Sequence, residues 1–378
     1  MGRVRTPGLI KRGGVWHIDK RVTGYGRVAE SCGTASLEEA ERFLVHRMEV
    51  IRQATVYGVR PTRTFREAAD KYVNEHQHKR SIDRDVQELK HLDAFIGHMA
   101  LDRVHIGTLQ PYLTSRAKVV KPATVNRSLA VVRRILNLAA RLWRDEHGLT
   151  WLLTPPLIQF VPNKNARQPY PLSWDEQRLL FAALPAHLAR MALFKVNTGT
   201  REQEVVKLQW DWECPVRELG TSVFVIPKQF VKNSEERLIV LNDVARSVID
   251  EQRGVHATRV FTYKGRPVTK MLDSAWRTAR KRAAARYETV IGEKCPDGFR
   301  SIRVHDLKHT FGRRLRAVGV SMEDRQDLLG HKSSRITTHY SSAELTHLIA
   351  AADKVCESDS RKSPAMTLIR SRGRLTTA

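Results

Sequence analysis

Residues 154–173 read TPPLIQFVPNKNARQPYPLS, and this run constrains the fold more than any other stretch of the chain. Its five prolines remove five backbone donors and fix φ near −65°, which neither a helix interior nor a central strand tolerates. No apolar periodicity offsets them. The run reads as a linker over 156–172, with separate folding units on either side. A chain of 378 residues is long enough for two or three domains, and 41% hydrophobic residues can supply their cores.

Before the linker, two strand-like runs at Val15–Val22 and Arg27–Cys32 flank the turn Gly24-Tyr25-Gly26. Ser36 and Glu39 form a capping-box pattern. Leu37, Ala40, Leu44, Met48 and Ile51 follow at helical spacing. Residues 1–58 are therefore expected to form a small sheet-plus-helix module. Past Pro61, a second box at Thr64 and Glu67 opens a helical domain over 63–155. Its clearest helix is ATVNRSLAVVRRILNLAARLW, where Val125, Leu129, Val132, Leu136, Ala139 and Trp143 form an unbroken apolar seam. Arg127, Arg134 and Arg141 recur every seven residues on another face. Such a row is either an ordinary solvated face or a stripe that tracks phosphates.

After the linker, Ser173 and Glu176 cap a fresh helix, and 173–355 reads as mostly helical. One strand pair interrupts it, TSVFVIPK and ERLIVL, joined across QFVKNSE. Residues 356–378 form a polar, basic tail. The expected class is mainly α with small β parts, an α+β arrangement.

Charge narrows the partners. Lysine and arginine total 65 against 40 acidic residues, a formal net charge of +25. That fits a polyanion such as nucleic acid, with an anionic membrane surface as the rival. No stretch is long and apolar enough to span a bilayer. Cys32, Cys214, Cys295 and Cys356 are far apart and form no CxxC pair, which suits free thiols in a reducing cytoplasm.

Four stretches of the last domain carry chemistry. In NTGTREQE, Gly199 permits a tight turn before Arg201, whose planar fork matches phosphate oxygens; Glu204 can hold its rotamer. In VKNSEERLIVL, Lys232 lies near a hairpin tip, with Lys228 as the alternative. HDLKHT places His305 and His309 four apart, which on a helix means one face. That pair is a zinc site, two surface histidines, or part of a phosphate pocket. Zinc lacks support: Asp306 stands where a metzincin-like site needs Glu, and no third ligand follows. LLGHKSSRITTHYSS carries His331 and, nine residues on, Tyr340. No carboxylate cluster stands ready for magnesium, so neither metal nor other cofactor is expected. Cationic groups around one tyrosine suit metal-free attack on a phosphodiester.

The stretches TGTREQE, KNSEERLIVL, HDLKHTF and LGHKSSRITTHY, in this order over residues 197–340, resemble the signature boxes of tyrosine recombinases of the phage-integrase type. The likeness extends upstream: 1–58 resembles an arm-type DNA-binding module, 63–155 a helical, SAM-like core-binding domain, and 173–355 the catalytic domain of the DNA breaking-rejoining fold. It implies Tyr340 as nucleophile, Arg201 and His331 on the scissile phosphate, and Lys232 as proton donor to the leaving oxygen. It further implies His305 in proton transfer and Glu204 in support. The usual His-x-x-Arg box is here His-x-x-Lys, so Lys308 keeps the charge without the bidentate fork. The resemblance implies site-specific cleavage and rejoining of double-stranded DNA at attachment sites, integrating or excising a phage or other mobile element. Partners would be a homotetramer on DNA and DNA-bending or directionality factors, at the nucleoid of a bacterial cytoplasm and not at a membrane. A type IB topoisomerase-like enzyme and a catalytically impaired DNA-binding relative are the competing readings.

Overall fold

The computed structural model describes residues 6–163, 167–232, 235–330 and 341–356. They fall into two compact units, one up to residue 166 and one from residue 167. The class is the mainly helical α+β expected from the sequence.

The first unit opens with an antiparallel meander: β1 (Leu9–Arg12), β2 (Val15–Val22) and β3 (Gly26–Ser31). The strand-like runs match β2 and β3. The four-residue β1 is an addition, turned back on β2 by Gly13 and Gly14, both at positive φ. Helix α1 (Leu37–Tyr57) packs Ala40, Leu44 and Ile51 against Leu9, Ile18 and Val28. The expected Ser36–Glu39 capping box does not form. Ser36 is the N-cap without a side-chain cap bond; the Thr34 hydroxyl takes the Glu39 carboxylate and accepts from Ser36 N instead.

Helices α2 (Phe65–Glu75), α3 (Ile82–Ile96), α4 (Gln110–Ala117) and α5 (Pro122–Arg141) form the rest of this unit. The Thr64–Glu67 box is made in both directions, at 3.2 Å and 2.6 Å. The α5 seam is buried throughout, with Leu129, Val132, Leu136 and Ala139 fully enclosed by Phe65, Tyr72, Leu92 and Tyr112. The proline-rich run divides. Ile158 is buried in this helical core, and Val161 exchanges two hydrogen bonds with the Asn126 side chain. Tyr170 and Leu172, by contrast, pack into the second unit.

The second unit contains α6 (Trp174–Ala183), α7 (Ala186–Thr198) and α8 (Glu202–Val206). A three-stranded antiparallel sheet follows: β4 (Glu213–Val216), β5 (Thr221–Ile226) and β6 (Arg237–Ile239), in that order. The predicted strand pair is β5–β6, and β4 joins its other edge. Next come α9 (Asp243–Asp250), a short hairpin of β7 (Thr262–Tyr263) and β8 (Arg266–Pro267), α10 (Ser274–Ile291) and α11 (Asp297–Arg300). The last helices are α12 (Val304–Ala317), α13 (Met322–Leu329) and α14 (Ser342–Asp353). Leu188, Phe194, Phe224, Trp276, Phe299 and Leu307 share the main core, and a smaller cluster joins α12 and α13 to α14 through Phe311, Leu328 and Ala352. The Ser173–Glu176 box caps α6 as expected. No described helix is long and apolar enough to cross a membrane.

Candidate active site

Arg201 stands where α7 ends and α8 begins. Gly199 closes α7 in the left-handed region at φ 62°. A Cβ at that position would lie 2.7 Å from Phe311 and 2.9 Å from Leu329, so only glycine lets α7, α12 and α13 approach this closely. Arg201 is then the N-cap of α8. Glu204 holds it twice, accepting from its backbone N–H at 2.7 Å and from Nη1 at 2.8 Å. The carboxylate is almost wholly buried. Burial alone would raise its pKa, but the Arg237 charge and the hydrogen bonds from Arg201 hold it below the ordinary value.

HDLKHT forms the first turns of α12. Its four ionisable side chains do not share one setting. Asp306 is buried, accepting from Arg303 N at 2.8 Å and pairing with Arg167 at 2.6 Å. It thus fixes the start of α12 and is no partner for a metal beside His305. The His305 and His309 rings meet edge to face, 4.8 Å between centroids. Partial burial, then the charges of Lys195, His309 and Lys308, lower the His305 pKa to about 4, so its imidazole is neutral near physiological pH. Among the described residues no three His, Cys, Asp or Glu side chains converge as a metal site.

Lys308 points inward and is 5% exposed. Its Nζ donates to the carbonyl of Leu329, at the end of α13. Burial, followed by the neighbouring charges of Arg237 and Arg201, lowers its pKa to about 6.

Two basic residues that sequence reasoning passed over complete the cluster. Lys195, on α7, is fully buried and donates from Nζ to the Thr200 carbonyl, just before Arg201. Burial lowers its pKa to about 7. Arg237, on β6, is 4% exposed and donates to the carbonyls of Asp327 at 2.7 Å and Leu328 at 2.5 Å. Arg201 Nη2 reaches the next cap carbonyl, Gly330, at 3.0 Å. A signal for both was available. In RLIVL the alternation of β6 puts Arg237 on the same buried face as Ile239, and Lys195 lies four residues after Met191 on the buried face of α7.

Lys232 lies on the β5–β6 connection and is exposed, and none of the bonds just described involves it. Lys228, also exposed, belongs to a single 3-10 turn immediately after β5. His331 and Tyr340 lie outside the described residues. Their neighbours are described: Gly330 caps α13 at φ 58°, and Ser341 caps α14 through Glu344. In the first unit, Arg127, Arg134 and Arg141 form an exposed row on α5, with Arg127 3.7 Å from Glu88.

Electrostatically the cluster is unbalanced. Lys195, Arg201, Arg237 and Lys308 crowd around one buried carboxylate, Glu204, with the less buried Glu202 also acting on Lys195. Crowded, desolvated cations favour an incoming anion, which would restore the lysine charges. Beside them opens a cleft of about 1100 Å³ whose lining includes Arg167, His305, Lys308, Arg313, Arg316 and Arg325. Its walls suit a polyanion backbone.

The phage integrase family model matches residues 174–347. The integrase of Salmonella phage P22 is 24% identical, over 92% of this chain and 94% of that protein. Tyrosine recombinase XerD of Lacticaseibacillus casei is 23% identical, over 66% and 82%. Among solved structures, a lambda integrase dimer bound to a COC' core site matches 94% of this chain and 98% of its own, with TM-score 0.53 and 14% identity. Tn1549 transposon integrase in complex with transposon right end DNA matches 75% and 98%, with TM-score 0.53 and 15% identity. Residues 174–347 thus carry a phage integrase domain, and the chain is similar to phage integrases and tyrosine recombinases over most of its length.

Proposed function

We propose that this protein is a site-specific DNA recombinase acting through a 3'-phosphotyrosyl intermediate on Tyr340. The observation that carries the reading is the cluster of half-buried Arg201 with buried Lys308 and Glu204, set among further cations and beside a basic cleft. Arg201, held by Glu204, and Lys308 bind the non-bridging oxygens of the scissile phosphate and stabilise the charge that grows in the transition state. The Tyr340 phenolic oxygen forms a bond to phosphorus as the bond from phosphorus to the 5' oxygen breaks. Neutral His305 takes or relays the phenolic proton, and Lys232 protonates the departing oxygen. The phosphate remains a diester, so the reverse step rejoins DNA without ATP.

Duplex DNA is the substrate this reading calls for. The relatives' names, and a lambda integrase bound to a core site, support it. In the full reaction four protomers exchange strands between two sites to integrate or excise a mobile element. Arg127, Arg134 and Arg141 of the helical domain hold the backbone of the site, with DNA-bending or directionality factors as accessory partners.

Covalent trapping tests the reaction. The protein is mixed with nicked duplexes tiled across the DNA flanking its own gene and run on a denaturing gel. The expected result is a shifted band that Tyr340→Phe abolishes. Duplexes bound in gel shifts but never trapped would overturn the enzymatic reading and leave a DNA-binding relative.

A further inference from the structure

The last four carbonyls of a helix have no partner within the helix. At the end of α13 the carbonyls of Asp327, Leu328, Leu329 and Gly330 each accept from a cation, that of Asp327 in addition to the Gly330 N–H at 3.0 Å. Arg237 takes the first two, Lys308 the third and Arg201 the fourth. Three cations from β6, α12 and the α7–α8 junction thus meet at the negative end of one helix.

The three are not equivalent. Arg201 has five N–H donors and uses one on Glu204 and one on Gly330, which leaves others for a phosphate. Lys308 likewise keeps donors beyond the one given to Leu329. Arg237 turns two arms of its fork onto adjacent carbonyls of α13 and is 4% exposed. It is set against the helix rather than toward the cleft. Gly330 records the same contact: a Cβ there would collide with Arg237 Nε, in addition to the strain of φ 58°. Glycine and arginine fit each other at the end of α13.

We propose that Arg237 is a positioning residue for DNA cleavage: it clamps the C-terminal end of α13, on which Arg201 and Lys308 also bear, and so sets where these two phosphate-binding groups stand. This rests on the reaction given under Proposed function. Arg237 acts through the helix end that Arg201 and Lys308 share with it, so the two phosphate ligands are referred to one anchor.

The test compares wild type with Arg237→Lys, Gly330→Ala and Lys232→Ala. Lysine at 237 keeps the charge but cannot span two carbonyls, and alanine at 330 pushes the guanidinium off while leaving Arg237 in place. Each protein is followed by thermal melting, gel shift and the rate of covalent trapping at saturating protein. Trapping is measured on nicked duplexes with oxygen or with sulfur at the bridging 5' position; a thiolate leaves without a proton. We expect Arg237→Lys and Gly330→Ala to bind DNA like wild type and to trap more slowly, on the order of 100-fold for a displaced reacting group. The factor should be the same with sulfur, whereas sulfur rescues Lys232→Ala. Wild-type trapping rates in either variant would overturn the clamp. So would a defect that sulfur removes, because that would place the effect on the leaving group. If Arg237→Lys fails to fold, Gly330→Ala decides alone. A wild type that binds but never traps defeats the proposed reaction itself; a trapping wild type with trapping variants defeats only the clamp.

Discussion

The exposed arginine row of α5 and the buried basic cluster of the second unit use the same residue types under opposite conditions. Arg127, Arg134 and Arg141 are hydrated, so their charges cost little and are screened by salt. Lys195, Arg237 and Lys308 are at most 5% exposed. Each has a fixed acceptor, a helix-end carbonyl or the carbonyl before Arg201, and both lysines have depressed pKa values. On the proposed reading the exposed row would attract any phosphate backbone and slide along it, whereas the buried, crowded set would place one anion and report its arrival as a change in protonation. Positive charge therefore says little about function until burial and acceptors are known.

Arg201→Lys should sharpen the contrast most. Losing the fork that Glu204 orients should cut covalent trapping by about 10²–10³-fold, as expected for removal of a transition-state donor, with gel-shift affinity nearly unchanged. Lys308→Arg comes next. The wild-type lysine loses its proton as pH rises above about 6, whereas phosphate favours the protonated form. The ratio of Lys308→Arg to wild-type trapping should therefore grow with pH, cancelling the titrations common to both proteins. A ratio flat with pH would remove Lys308 from the phosphate site.

Replacing Arg127, Arg134 and Arg141 together with alanine should act differently. Binding should weaken uniformly across sequences, and the salt slope should fall by about one for each phosphate no longer neutralised. The trapping rate at saturating protein should stay at the wild-type value. A salt slope equal to that of wild type would mark the row as a plain solvated face. The smallest effect concerns stability without DNA. The folded-state pKa of Lys195 is about 7, below its ordinary 10.5. Between these values the unfolded chain holds more protons, so this group makes stability rise with pH. Wild type should melt below Lys195→Met near neutral pH, and the gap should narrow toward pH 10.5. A gap independent of pH would mean that Lys195 does not titrate in this window.

Much of this architecture was legible in the residues. The α5 seam, the Thr64 and Ser173 boxes and the β5–β6 pair all rest on local rules of spacing and capping, and they formed as those rules require. The Ser36–Glu39 box failed because a neighbouring hydroxyl, Thr34, competed for the same carboxylate, which spacing alone does not resolve. The strands β1 and β4 have four residues each, too few to show alternation. At the site, Arg201 with Glu204 was readable because the two are three residues apart on one short helix. Arg237 and Lys195 were not, since their meaning comes from carbonyls and charges brought together by the fold. For Lys308 the fold adds a feature no sequence pattern contains, the Leu329 carbonyl to which its Nζ donates.

The most direct measurement is the number of protons taken up when the protein binds its duplex near neutral pH, from binding heats in two buffers of different ionisation enthalpy. If a phosphate enters the buried cluster, Lys308 regains its proton. Uptake should then be net positive in wild type, fall in Lys308→Arg, and survive in the variant lacking the α5 arginines. No uptake, or uptake that persists undiminished in Lys308→Arg, would contradict the placement of the phosphate among these buried cations.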